Sequence, residues 1–263
     1  MIDVQLWADL SLVRAKGTQF ICCGDFAQFQ AVAESWCGNV VAEGALENSH
    51  MLLEMCGGVR LTLTENKRSD AKLFDFYTGL RCGTPDARDL QEALADARRL
   101  FPKLDGPDLE AICVQNGVRP DYTLPMSHKR RVQINRQQNQ LLKPAVTATF
   151  IRAPVATRAG NQPQSMWVWP GMQLEGAGGK CLKGLFYTVE GVDEDSVVLN
   201  TGRLSHQECV RSLRLPYALT YASCQGLTLK GRIRLETESP NMTLRHLYVG
   251  ISRATAADLV EVV

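Results

Sequence analysis

No stretch of this 263-residue chain is apolar for long enough to span a bilayer. The opening MIDVQLWADL lacks the basic start and apolar block of a secretory signal. Nine cysteines, at 22, 23, 37, 56, 82, 113, 181, 209 and 224, include no Cys-x-x-Cys pair, and the four histidines are scattered. Zinc-ligand spacing and a disulfide framework are therefore excluded, and no metal site is expected within the chain. An odd, unpatterned set inside apolar segments reads as reduced, buried thiols, so an intracellular protein without a membrane partner is expected, its compartment unspecified. Charge of one sign is also lacking. With 29 Lys and Arg against 28 Asp and Glu the formal net charge is +1, so a nucleic-acid partner must be argued from local patches. Repeats and low-complexity tracts are absent. What remains is 45% apolar and 22% charged, with length enough for two small α/β units or one larger one.

Val4, Trp7, Leu10 and Val13 recur at helical spacing, and Gly17 is suited to end that helix. Gln19 to Cys23 reads as a short buried strand and VRLTL (59–63) as a second. Ser69 or Asp70 can cap the next helix, whose Leu73, Phe74, Tyr77 and Leu80 share one face. Thr84-Pro85 opens another helical stretch through Leu100, which Gly106-Pro107 breaks. DYTLPMS (121–127) is a strand leading into the basic helix HKRRVQINRQQNQLL.

From about 146 to 215 the texture changes. Short β-type runs such as MWVWP, GLFYTVEGV and DSVVLNTG alternate with glycine turns, the pattern of a small antiparallel barrel. Residues 216–263 return to α/β character: YALTYASCQG as a helix or strand-to-helix turn, IRLE a strand, LRHLYVGISRA a helix, DLVEVV a strand. An all-β block thus interrupts an α/β domain.

Chemistry concentrates in four stretches: GDFAQF (24–29), LTENKRSD (63–70), LTYASCQGLT (219–228) and LYVGISRAT (247–255). Taken singly each has a plain structural reading. Gln28 can be a turn residue, Arg68 a solvated cation, Gln225-Gly226 a turn, and Arg253 a helix-end charge answering the dipole.

Taken in order, the set resembles the later motifs of superfamily 1 DNA helicases, above all the RecD/Pif-type branch. Gly24-Asp25 with Gln28 is similar to the third helicase motif, Leu63 to Arg68 to the fourth, Thr220 to Gly226 to the fifth, and Tyr248 to Ala254 to the sixth. Arg131, Asn135, Pro170-Gly171-Met172 and Lys183-Gly184 also fit that branch, and the likeness is weakest over 84–118. It implies a RecA-like P-loop NTPase fold. Residues 1–83 would be the end of a first RecA-like domain and 84–118 a helical connector. Residues 119–263 would be a second RecA-like domain carrying a β-barrel insertion at about 146–215.

The implied activity is ATP-driven, 5′ to 3′ unwinding of DNA, with single-stranded or forked DNA as partner and RNA as an option. Gln28, at the crevice end of a strand, would sit between the terminal phosphate and the track, where an amide can both donate and accept. Arg68 and Arg253 would neutralise the transferring phosphoryl group, since a planar guanidinium grips two of its oxygens. Gly24, Asp25, Gln225 and Gly226 would line the nucleotide. Thr220 and Ser223 would offer hydroxyls, and His128, Lys129, Arg130 and Arg131 charge, to backbone phosphates; a solvated helix face is the alternative for that basic run. Trp167 and Trp169 share one strand face and suit either base stacking or barrel packing.

Half of the engine is missing from these residues. ATP and magnesium are implied, yet no G-x-x-x-x-G-K-[ST] phosphate loop or magnesium-holding Asp-Glu pair is present. GAGGKC (176–181) fails because Leu174 stands where the first glycine belongs and Cys181 replaces the hydroxyl; a hairpin loop is expected instead. The family's Asp-Glu would precede Met1, and Asp3 is read as a helix residue rather than a ligand. The expectation is the rear portion of a helicase, partnered by a missing N-terminal half and unable to hydrolyse ATP alone. Ala222-Ser223 replaces the fifth motif's histidine and basic residue, and Phe29-Gln30-Ala31 the third motif's Leu-Pro-Pro. A non-catalytic nucleic-acid-binding or interaction module is the rival. Catalysis by Asp25 or Cys22 lacks a paired base.

Overall fold

The computed structural model describes residues 4–14, 16–29, 35–36, 39–41, 45, 47, 49–81, 89–101, 121–154 and 162–263. Helix α1 (Val4–Arg14) is followed by a two-stranded ribbon, β1 (Ser35–Trp36) and β2 (Asn39–Val40), and by α2 (His50–Met55). Next come α3 (Ala71–Thr78) and α4 (Leu90–Leu100). Strand β3 (Tyr122–Leu124) leads into the long helix α5 (His128–Leu142).

The β-rich block contains β4 (Thr149–Ile151), β5 (Met166–Val168), β6 (Gln173–Gly176), β7 (Phe186–Val192), β8 (Ser196–Leu199) and β9 (Gly202–Ser205). It closes with α6 (His206–Ser212) and β10 (Leu213–Arg214). Strand β11 (Ile233–Leu235), helix α7 (Leu244–Ile251) and strand β12 (Val260–Val262) complete the chain.

Strands β12, β11 and β3 form a parallel sheet in that order, with Ile233 opposite both Val260 and Tyr122. Every residue of β11 and β12 is buried, as expected of parallel strands covered on both faces. Their two charged residues answer each other across the ladder: Arg234 Nε donates to Glu261 Oε2 at 2.9 Å and Nη2 to Oε1 at 3.2 Å. Pairing is what makes burial of either charge tolerable. Leu73, Phe76, Leu94, Phe101, Leu247 and Ile251 bring α3, α4 and α7 into the same core.

Asp70, the N-cap, accepts from Leu73 N at 2.8 Å through Oδ1 and from Ala257 N at 2.6 Å through Oδ2. It therefore fastens α3 beyond the end of α7. The shared core extends across residue 83, where the sequence divides the chain. Helix α7 seats closely: a Cβ at Gly250 would lie 2.7 Å from Tyr221 Cε1 and 2.9 Å from Leu235 Cδ2.

The β-rich block keeps a core of its own, with Val168, Leu174, Val197, Cys209 and Val210 inside. A five-stranded antiparallel sheet, β10-β6-β7-β8-β9, and the β4-β5 ribbon enclose it as a half-barrel. Two asparagines one turn apart on α5 join block and sheet. Asn135 exchanges both amide bonds with the Ala218 backbone, at 3.0 and 2.9 Å, and Asn139 does the same with Trp167, at 2.9 and 2.7 Å. GAGGKC closes as a turn, with Gly178 bridged to Cys181 and Gly178 and Gly179 at φ 113° and 67°.

Several expectations need correction. Gln19 to Cys23 is not a strand, Ile21 is 95% exposed, and Cys22 and Cys23 are exposed rather than buried. VRLTL is likewise unpaired, with Leu61 86% and Leu63 95% exposed. No described strand runs beside either segment, so neither has a ladder to join. On α1, Trp7 is buried while Val13 is exposed. Thr84-Pro85 and Gly106-Pro107 lie outside the described residues, as do Asp3, Gln30, Ala31 and Cys37, Cys82 and Cys113; between them α4 starts from an Asp89 cap.

Candidate functional site

The turn after residue 23 is organised by Asp25. Its Oδ1 accepts from Ala27 N at 3.0 Å, and its Oδ2 accepts from Gln28 Nε2 at 3.3 Å and from the Tyr248 hydroxyl. Arg81 Nη2 stands 3.6 Å from Oδ1. Burial, then the bond to Asp25 and its charge, push the Tyr248 hydroxyl up to about 12, so it stays a donor. Asp25 thus latches the 24–29 turn to α7. Gln28 is half-buried, while Gly24 is exposed.

Gln225 makes a second tie, its Nε2 donating to Phe29 O at 3.3 Å while its buried Oε1 has no partner among the described residues. The following Gly226 has φ 86°, a left-handed turn that side chains resist.

Arg68 and Arg253 converge. Arg68 Nη1 donates 3.0 Å to the carbonyl of Ser252, the residue before Arg253. Burial first, opposed by nearby Cys224 and reinforced by the Arg68 charge, lowers the pKa of Arg253. The two differ in presentation. Arg68 lines a cleft of about 570 Å³ with Glu65, Asn66, Lys67, Phe74, Tyr77 and Thr228, and follows an Asx turn in which Asn66 Oδ1 accepts from Arg68 N at 3.0 Å. Arg253 is 1% exposed and turned inward, donating to Val249 O at 3.0 Å, Leu227 O at 3.2 Å and Ser252 Oγ at 2.8 Å. Presenting a fork to a phosphate would require releasing these bonds.

On the strand side the expected hydroxyls are less available than the sequence implies. Thr220 is buried, and its Oγ1 lies 3.0 Å from Ser223 Oγ, which also donates to Thr220 O. The basic run divides by face. His128 and Lys129 are exposed. Arg130 grips Glu236 at 2.7 and 3.0 Å, and Arg131 is buried. Trp167 packs against Phe150 at 5.1 Å between ring centres, with the Lys143 ammonium 4.1 Å from its ring, while Trp169 packs onto the half-barrel core.

Tyr248, Arg81, Glu175 and Arg214 were missed by sequence reasoning. Tyr248 lies inside the sixth-motif match, which was its only signal. For magnesium, no cluster of carboxylates or other ligands suited to a metal occurs among the described residues. For a nucleotide, the fit is to one side: Arg68 and the cleft it lines.

No protein-family model and no curated protein matches the sequence. Solved structures do. The Pif1 helicase of Candida albicans superposes on 100% of this chain and 69% of its own, at TM-score 0.64 and 18% identity. The fold is that of Pif1. A Bacteroides Pif1 in complex with ADP-AlF3 and ssDNA aligns with 77% of this chain and 51% of its own, at TM-score 0.48 and 14% identity, which adds nothing to the assignment. The likeness to the Candida albicans protein gives this chain a RecA-like architecture, and the parallel sheet and antiparallel half-barrel described above are its two units.

Proposed function

We propose that this chain is the rear portion of an ATP-dependent DNA helicase, responding to the terminal phosphate of ATP and holding a single strand, with 5′ to 3′ movement. The observation that carries it is the meeting of Arg68 and the Ser252-Arg253 turn beside a cleft of nucleotide size. A phosphate in that cleft would draw on Arg68 and compete for the inward bonds of Arg253. Contacts that differ between nucleotide states are what drive domain closure. The phosphate loop and the magnesium-holding acids would come from residues not in this sequence. Expected is salt-sensitive binding of single-stranded DNA by the purified chain, without strand-stimulated release of phosphate. Measurable stimulated release would overturn this reading, and an RNA oligonucleotide in parallel assigns the preferred strand.

A second reading, a non-catalytic strand-binding or interaction module, draws support from the inward bonds of Arg253 and from Ala222-Ser223. Adding a polypeptide that carries a phosphate loop and an Asp-Glu pair separates the two. Restored, strand-stimulated hydrolysis favours the helicase; strand binding that ignores both ATP and the added half favours the module.

A further inference from the structure

Behind the exposed start of α5 lies a narrow cleft with free space of about 20 Å³, lined by His128, Arg131, Glu175, Lys183, Arg214 and Ser223. It joins three units: the basic helix, the half-barrel through β6, β10 and the loop at 183, and the 219–223 turn. Arg131 is 3% exposed, yet its Nε and Nη2 have no hydrogen-bond partner among the described residues. Buried donors left unsatisfied are costly and call for an explanation. Glu175, also buried, is the sole carboxylate in the lining against three permanent cations. The space, about that of one water, admits a single phosphate oxygen but not a base.

We propose that this cleft takes one phosphate group of a single-stranded nucleic acid on Arg131, with Lys183 at the rim, and that Glu175 competes with the phosphate for the same positive field. The phosphate source rests on the strand-binding reading above. Burial pushes the Glu175 carboxyl up to about 7, against the pull of Arg131, Arg214 and Lys183, so the competitor is neutralised as pH falls toward 6.5. His128 also faces the cleft, its pKa lowered by burial and by Arg131. Within the cleft, Glu175 is the group whose titration falls inside the window from pH 6.5 to 8.5.

The test uses the full chain and the anisotropy of a labelled oligothymidylate at fixed salt. Wild type should bind about tenfold more weakly at pH 8.5 than at 6.5, the scale of one nearby unit charge. Glu175→Gln should bind tightly and lose that pH dependence. Lys183→Ala, at an exposed position that leaves folding intact, should weaken binding several-fold. Unchanged binding in both variants overturns the proposal and leaves the strand-binding reading standing. Failure of every variant to bind at any pH sinks that reading instead. Sulfate, which keeps its charge across the window, distinguishes the source. A Glu175-dependent rise in Tm with sulfate, without any effect of Glu175 on oligonucleotide affinity, overturns the strand form of the proposal.

Discussion

Ile21 and Ile233 lie in short segments that both read as strands in the sequence, and the chain treats them in opposite ways. Ile233 is 1% exposed in the centre of a parallel sheet, whereas Ile21 is 95% exposed in extended chain. Val59, Leu61 and Leu63 side with Ile21. The contrast teaches that a strand belongs to a pair. Its backbone groups need a neighbour's ladder, and its side chains need a covering face. Between 121 and 263 the neighbours β3, β11 and β12 are all at hand with α3, α4 and α7 to cover them. The segments at 19–23 and 59–63 have none among the described residues.

Paired truncations break the comparison most sharply. Leu235→Ala should cost about 3 kcal/mol in urea unfolding because its site is fully buried, while Leu63→Ala should stay within about 0.5 kcal/mol of wild type. Similar losses at both sites would mean that the 59–63 segment is covered in solution.

The next largest effect concerns Glu175, inside the packed region. Its folded carboxyl keeps its proton up to about 7, whereas the unfolded chain releases it near the ordinary glutamate value of 4.5. The folded state binds more protons between those values, so wild-type stability should fall as pH rises from 4.5 through 7. Glu175→Gln should remove that fall and gain on the order of 2 kcal/mol at pH 8. A wild-type profile flat between pH 5 and 8 would contradict the buried-carboxyl account.

The smallest effect probes the join between the two regions. Tyr248→Phe deletes the hydroxyl that holds Asp25 and should raise amide exchange at Gln28 about tenfold, with global stability little changed. Unaltered exchange would place the hold on the turn elsewhere, with Gln225 the next residue to remove.

Much of the fold was legible because local signals agreed with tertiary ones. Ser127 caps α5 as a serine before a helical run should, Asp70 caps α3, and the glycine-punctuated runs after 146 became the antiparallel half-barrel. Periodicity failed where the partner mattered more than the pattern, as at Ile21 and Leu63. The candidate site was legible as a set of positions, but not as a set of orientations. The helicase resemblance implied that Arg68 and Arg253 converge, and Arg68 does reach the Ser252-Arg253 turn. The resemblance could not tell that Arg253 would bond to Val249 and Leu227, or that Thr220 would turn inward to Ser223. Nor could four consecutive residues on α5 reveal that Arg130 meets Glu236 while Arg131 faces the half-barrel, since that depends on what packs across the helix.

The seat of Gly250 against Tyr221 carries a mechanical consequence. The Tyr221 hydroxyl donates to the carbonyl of Glu236, whose carboxylate clasps Arg130 on the basic helix. Because α7 seats this closely on that ring, its Arg253 end, Tyr221, Glu236 and Arg130 form one continuous path of contacts toward α5. The cleft lined by Arg68 and the basic helix thus stand at the two ends of one path of contacts that runs through a single tyrosine.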